Sequence, residues 1–404
     1  MKTIHIKRYI LIFSALVILA SVLTTIFLIS PPLKETGGRN NPQNYWSGAA
    51  PKYVFMFIGD GMGPNHIAIT ETALKSRLSF TSFDNQGIIS THSANKLVTD
   101  SAAAATALAT GYKTKNGRLG LGPEKQRLTN IAELSKKAGK RVGIITTVSL
   151  NHATPAAYYS HVKSRSRSYE IGMAMLTSGF DYFAGGGLHK HDEKGKADLY
   201  TVAERQGFTI LRDRQVILQA MYQGSPILAL NPELGPDSAM PYRVDMTEKS
   251  LTLAEFVRKG CELLDSKDGF FMVVEGGKID WAAHGNQADK MIQEVFDFSE
   301  AVDAAIKFAA THPSETLIVV TADHETGGLA WMTPNRGDST PVRLPDAQAR
   351  ANSFENTGWA WTTKGHTSAM VDVFATGLGS ALFRGRYDNT DIAWKLINIM
   401  RLQK

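Results

Sequence analysis

The chain has 404 residues, 43% hydrophobic and 20% charged, with 44 basic side chains against 38 acidic ones and a formal net charge of +6. That balance suits one large folded domain or two modest ones and excludes broad disorder. The positive excess is small and gathers into no dense basic stripe, so nothing announces a nucleic-acid partner.

In chain order, the first element is the charge-free stretch YILIFSALVILASVLTTIFLI, residues 9–29. As a helix it would rise roughly 30 Å, the thickness of a bilayer's hydrocarbon core. Lys2, Lys7 and Arg8 precede it, which places the short N-terminus in the cytoplasm and the bulk of the chain outside. No small-x-small site directly follows Ile29, so an uncleaved anchor over residues 1–30 is favoured above a cleaved signal peptide. Either one exports the protein. Residues 31–50, rich in Pro, Gly and Asn, read as a linker. Cys261 is the sole cysteine, so the fold must rest on its core or on bound metals, and Cys261 reads as a buried helical thiol.

From residue 51 onward, apolar runs resembling buried strands lie at 53–58, 141–147, 269–274 and 316–321, with helical patterns between them at 126–138 and 287–309. The alternation predicts an α/β fold with a mostly parallel, mixed sheet sandwiched by helices. Each run leads into a glycine-rich or turn-like ending that carries Asp, Glu or His. These are GDGMG with Asp60, VSLNHATP with His152, EGGKIDWAAHG with Glu275, Asp280 and His284, and ADHETGG with Asp323 and His324. Open α/β sheets bind ligands beyond the carboxyl ends of their strands, so four such endings would share one crevice.

Ser101 stands in VTDSAAAATALATG, residues 98–111. Thr99, Asp100 and Ser101 are good helix caps ahead of an alanine run. A hydroxyl at that helix start would equally suit a bound phosphate and a serine acting as an oxyanion. Both readings are open on this stretch alone. Asp280 and His284, spaced i, i+4, would grip one cation from one face of a helix. The adjacent Asp323 and His324 diverge and address one or two metals, and His366 in KGHTS completes a ligand set from a distance. Histidine with carboxylate suits zinc, and acid with hydroxyl and water suits magnesium. Two such ions would stabilise the attacking and leaving oxygens of an in-line phosphoryl displacement.

Residues 328–365 break the alternation and read as an irregular, crown-like insertion, with Trp331, Trp359 and Trp361 packing it together. The stretch 185–195, with His189, His191 and Asp192 among lysines, reads as a solvated loop. Arg167 reads as surface charge, and the tail DIAWKLINIMRLQK as an amphipathic closing helix.

GDGMG, TDSAAAATA, HATPAAYYSHVKSR, VEGGKIDWAAHGN, TADHETGG and KGHTS, in that order, resemble the alkaline phosphatase family from about residue 53 to 375. The resemblance implies a catalytic domain over 51–404 that hydrolyses phosphate monoesters. Ser101 would be the nucleophile that becomes phosphoserine, at a helix start that is also the phosphate seat. It implies two zinc ions, one held by Asp280, His284 and His366, the other by Asp60, Asp323 and His324. Asp60 would bridge to a magnesium held by Thr154 and Glu275, and Arg165 would clamp two phosphate oxygens. His152 and Trp281 stand where some members have aspartate and lysine, which leaves the third ion as magnesium or zinc. A homodimer is the family's common assembly, with the insertion as its expected contact. Arg165 argues against a diesterase, whose second ester group would displace an oxygen it should grip, and serine at 101 argues against diesterase and sulfatase relatives alike. The alternative outside enzymes is an exported protein that only binds phosphate or metal.

Overall fold

A strand that is apolar on both faces needs cover on both, and four of the expected strands are of that kind. The structure is a computed structural model that describes residues 46–332 and 358–403. Its strands begin with β1 (Tyr53–Gly59), β2 (Asn85–Ser90), β3 (Arg141–Thr146) and β4 (Tyr182–Gly185). They continue with β5 (Thr209–Leu211), β6 (Ile227–Leu230), β7 (Phe270–Gly276) and β8 (Thr316–Ala322). The short β9 (Glu325–Thr326), β10 (Leu329–Met332), β11 (Gly358–Trp361) and β12 (His366–Thr367) precede β13 (Val371–Gly377) and β14 (Gly385–Asp388).

Ten of these strands form one sheet in the order β14-β2-β13-β8-β1-β7-β3-β4-β6-β5. Only β13 runs against its neighbours, so the sheet is parallel through seven strands from β8 to β5 and mixed beyond. The four expected strands are four consecutive neighbours, β8-β1-β7-β3. Every residue of β1, β7 and β8 is buried. Their register levels the carboxyl ends: Gly59 faces Gly276 on one side and Ala322 on the other, and Thr146 faces Glu275. That alignment carries four acidic or histidine-bearing turns to one edge.

The helices that matter for the site are α1 (Pro64–Leu74), α2 (Ser101–Thr110), α3 (Ile131–Lys137), α4 (Ala153–Ala156), α5 (Leu253–Leu264), α6 (Lys278–His284), α7 (Ala288–Thr311) and α8 (Thr390–Ile399). The long α7 packs on α1, α5 and α6, and its Phe298 and Phe308 meet the β1 rings Phe57 and Phe55 edge-on at 5.8 and 5.9 Å. α2, with all ten residues buried, packs against α4 and α8. Such depth needs small side chains: alanine lets the neighbouring helices come close. The closing helix buries Ile392, Leu396 and Ile399, and Cys261 lies buried in α5 as a free thiol.

The irregular insertion is regular at its ends. β10 and β11 form an antiparallel ladder that sets Trp331 opposite Trp359, their rings edge-on at 5.7 Å. Trp359 and Trp361 pack against the core, while Trp331 is exposed. Residues 333–357 of the insertion and the apolar stretch 9–29 lie outside the described residues. Among the described residues, no helix is long and apolar enough to cross a membrane.

Candidate metal centre

β1 delivers Asp60 into a turn that only glycine can follow. Gly61 has φ +72°, and a Cβ there would lie 2.8 Å from Thr326 Oγ1 and 2.9 Å from Asp280 Oδ1. The bare backbone lets Gly61 N donate to Asp323 Oδ1 at 3.1 Å, which ties the end of β1 to the end of β8. β7 carries Glu275 within its last residues, and α6 follows after one glycine. The helix sets Asp280 and His284 one turn apart, with His284 Nε2 3.3 Å from Asp280 Oδ2.

Ser101 is the first residue of α2, and Asp100 is its N-cap. One Asp100 oxygen accepts from Ala103 N at 3.0 Å; the other accepts from Gly117 N at 3.0 Å and lies 3.4 Å from Arg165 Nη1. The same carboxylate therefore caps the start of the helix and helps to place the guanidinium. The Ser101 hydroxyl is buried, 3.2 Å from His324 Nε2 and 3.5 Å from Asp60 Oδ1.

The histidines are oriented by contacts on their far sides. His366 Nδ1 donates to the Thr99 carbonyl at 2.9 Å, and His284 Nδ1 to the Lys364 carbonyl. Each ring so committed turns Nε2 toward the site, where the two Nε2 atoms stand 3.2 Å apart. His324 Nδ1 lies 3.2 Å from Thr326 Oγ1, and its Nε2 is 3.3 Å from Asp60 Oδ1 and 3.4 Å from Asp323 Oδ2. The His324 and His366 rings stack at 3.7 Å.

Three overlapping sets of donor atoms each lie within 4.8 Å of one another: Asp280, His324 and His366; Asp60, Asp323 and His324; and Asp60, His152 and Glu275. The first differs from the expected set in holding His324, while His284 joins it through Asp280 and His366. Thr154 Oγ1 donates to Asp60 Oδ2 at 3.2 Å beside the third set. His152 caps α4, and its Nε2 lies 3.2 Å from Arg165 Nη2, so that nitrogen accepts and the hydrogen rests on Nδ1. Trp281 meets the His152 ring edge-on at 6.1 Å, walling the side where both were expected.

These residues fit cations. Burial pushes the Glu275 carboxyl up to about 7 and Asp323 up to about 8. Burial, with Asp323, Asp280 and Glu275 nearby, drives Asp60 the same way. Burial also holds His152 down to about 3 and His324 well below its usual range, so both imidazoles are neutral. Against the burial that would raise it, Asp280 is held low by the hydrogen bond from His284 and by the positive charge of His284. Glu275 Oε1, Asp323 Oδ2 and His152 Nδ1 are buried with no hydrogen-bond partner. Crowded anions and inward-facing imidazole nitrogens repel one another until positive charge stands between them.

Two supports escape the sequence patterns. Thr146 donates to Glu275 Oε2 from the end of β3, and Thr326 touches both Asp280 and His324. A signal for Thr326 exists: in an extended segment, residues two apart share a face, so 326 sides with His324. Thr146 gives no such sign, since it meets Glu275 only through strand pairing.

Residues 51–354 match the family model described as Alkaline phosphatase. Alkaline phosphatase 4 of Bacillus subtilis is 30% identical over 420 residues, covering 87% of this chain and 89% of that one. Streptomycin-6-phosphate phosphatase of Streptomyces griseus is 31% identical, covering 86% and 90%. Among solved structures, alkaline phosphatase from the Antarctic bacterium TAB5 superposes with a TM-score of 0.77 at 31% identity, covering 88% of this chain and 99% of its own. A mutant of that enzyme, described with Mg bound in the M3 site, superposes at 0.76 with the same identity and coverage.

Proposed function

Since the chain belongs to the alkaline phosphatase family, we propose that it hydrolyses phosphate monoesters to an alcohol and inorganic phosphate through phosphoserine on Ser101. The observation that carries this reading is the placement of the Ser101 hydroxyl, buried at a helix start and 3.2 Å from His324 Nε2 at the centre of the metal-ligand cluster.

Asp280, His284 and His366 would hold one zinc, and Asp60, Asp323 and His324 the second. Asp60, Thr154 and Glu275 would hold magnesium, with His152 beside it as the residue that shifts this third site toward zinc. When bound, the ions supply Lewis acidity at the attacking and leaving oxygens and lower the pKa of water and serine. The chain's own residues do the rest. Arg165, steadied by Asp100 and by His152 Nε2, offers a planar fork to two non-bridging phosphate oxygens. The orphan N–H groups opening α2 favour negative charge at the same place. Ser101 Oγ forms a bond to phosphorus as the bond to the alcohol oxygen breaks. Water then displaces Ser101 from the opposite face, the alcohol and the serine each regain a proton, and phosphate leaves. Because residues 9–29 follow Lys2, Lys7 and Arg8, this chemistry would take place outside the cytoplasm, on an anchored or released catalytic unit.

Hydrolysis of an aryl phosphate monoester by the parent and by Ser101→Ala, with metal content determined on both, tests the reading. The parent should turn over, and the variant should keep its metals while losing activity by at least about 10³-fold. A fully metallated parent that ignores monoesters but cleaves diesters or sulfate esters would overturn it.

A further inference from the structure

Thr326 belongs to none of those ligand sets, yet its hydroxyl joins two of them. Its oxygen lies 2.6 Å from Asp280 Oδ1 and 3.2 Å from His324 Nδ1. A threonine hydroxyl has one proton to give, and an ionised carboxylate can only accept, so that proton goes to Asp280. The contact with His324 is then satisfied only when Nδ1 carries a hydrogen and donates it. The donors run one way, from His324 Nδ1–H to Thr326 Oγ1 and from Thr326 Oγ1–H to Asp280 Oδ1. His324 is thereby held with a bare Nε2, the atom that faces Asp60, Asp323 and Ser101. Asp280 is pinned through Oδ1, which leaves Oδ2 for His284.

The hydroxyl is itself held in place. Thr326 N donates to the Gly61 carbonyl at 3.1 Å, and Thr326 pairs with His366 where β9 meets β12. Thr326, His324 and Gly61 are buried, and no side chain at 61 would fit between Thr326 and Asp280.

We propose that Thr326 is a positioning residue shared by the two zinc sites, fixing the tautomer of a ligand in one and the carboxylate rotamer of a ligand in the other. The inference rests on the ligand sets of the proposed function. Outer contacts of this kind typically change metal affinity by about 10–100-fold. A residue serving one site would weaken one ion; Thr326 serves both.

The test titrates Zn²⁺ alone into chelator-stripped parent, Thr326→Val and Thr326→Ser against a competing chelator. Histidine ¹⁵N chemical shifts report which His324 nitrogen carries hydrogen. The valine chain, equal in shape but without the hydroxyl, should bind both ions about 10–100-fold more weakly and lose the Nδ1–H signature. Serine, which restores the hydroxyl, should return both affinities to within about threefold of the parent. If the valine chain does not fold, the serine chain and Thr326→Ala give the same contrast. Parental affinity for both ions in the hydroxyl-free chain, weakening of one ion only, or no rescue by serine overturns the proposal. A parent that binds two ions yet hydrolyses no monoester overturns the proposed function and leaves this inference standing; a parent that binds no zinc overturns both.

Discussion

Two buried acidic clusters lie on either side of α6, and they have come to opposite ends. At the sheet edge, Asp60, Glu275 and Asp323 crowd together. Behind α6, Glu294 and Asp297 of α7 are buried as deeply, and burial pushes Glu294 up to about 8 and Asp297 up to about 7. Both Asp297 oxygens lack a hydrogen-bond partner, like Asp323 Oδ2 at the edge. By burial and proton affinity the two clusters are alike. They differ in what surrounds them. Arg243 meets the second with its backbone N donating to Glu294 Oε1 at 2.7 Å and its guanidinium Nε 3.7 Å from Asp297 Oδ1. Lys278 lies near Glu294 and donates to the Met240 carbonyl. Those cations come with the chain, so the charge is met internally. At the edge, His284, His324 and His366 turn their Nε2 atoms toward the carboxyls, and among the described residues Arg165 is the guanidinium beside them. A perturbed carboxyl marks cost, not function; what sets the edge apart is the imidazole nitrogens that converge on it.

Chelation should break the comparison most widely. Stripping divalent ions should abolish hydrolysis, by at least about 10³-fold, and lower thermal stability, with both restored on adding zinc and magnesium. Each tenfold excess of free ion over its dissociation constant should add about 1.4 kcal/mol. Unchanged activity and melting after verified metal removal would place the two clusters in the same structural class.

Arg165→Lys should come next. Lysine keeps the charge and loses the fork that Asp100 and His152 hold, so kcat/KM for a monoester should fall about 10–100-fold with metal content unchanged. A fall below about twofold would show that the geometry around the guanidinium is incidental.

The smallest effect belongs to the second cluster. Asp297→Asn should leave kcat/KM within about twofold, since it removes no group from the edge. Its signature is in stability. The Asp297 carboxyl keeps its proton to about 7 when folded, against about 4 when unfolded. Between those values the folded chain binds more protons, so the parent loses stability as pH rises. The variant lacks that loss, and its stability relative to the parent should climb by on the order of 4 kcal/mol from pH 4 to pH 8. Denaturant melts across that range measure it, and a flat difference would mean that Arg243 meets the charge fully.

Much of the edge cluster was legible before any coordinates. The runs that became β1, β3, β7 and β8 are apolar throughout, which demanded a covered sheet, and each ended in a glycine or turn beside Asp, Glu or His. Asp280 and His284 could be placed together because the helical period is local, and Ser101 at a helix start because Asp100 and the alanines are adjacent to it. The insertion reads as irregular in sequence because the pairing of β10 with β11 spans residues remote along the chain.

The sequence by itself therefore determined which candidate residues stand at the ends of their elements, because periods, caps and turns are set by near neighbours. Tertiary structure alone decided the rest: that β1 lies between β7 and β8, that Thr146 reaches Glu275, and that Thr99 and Lys364 lend carbonyls to His366 and His284. Thr326 is the sharpest case. As a residue type it is an ordinary strand former, and it gains a role only where packing brings Asp280, 46 residues away, to within 2.6 Å of its hydroxyl. Hydrogen bonds fall off within ångströms, so their partners are chosen by register and packing, which residue spacing along the chain does not encode.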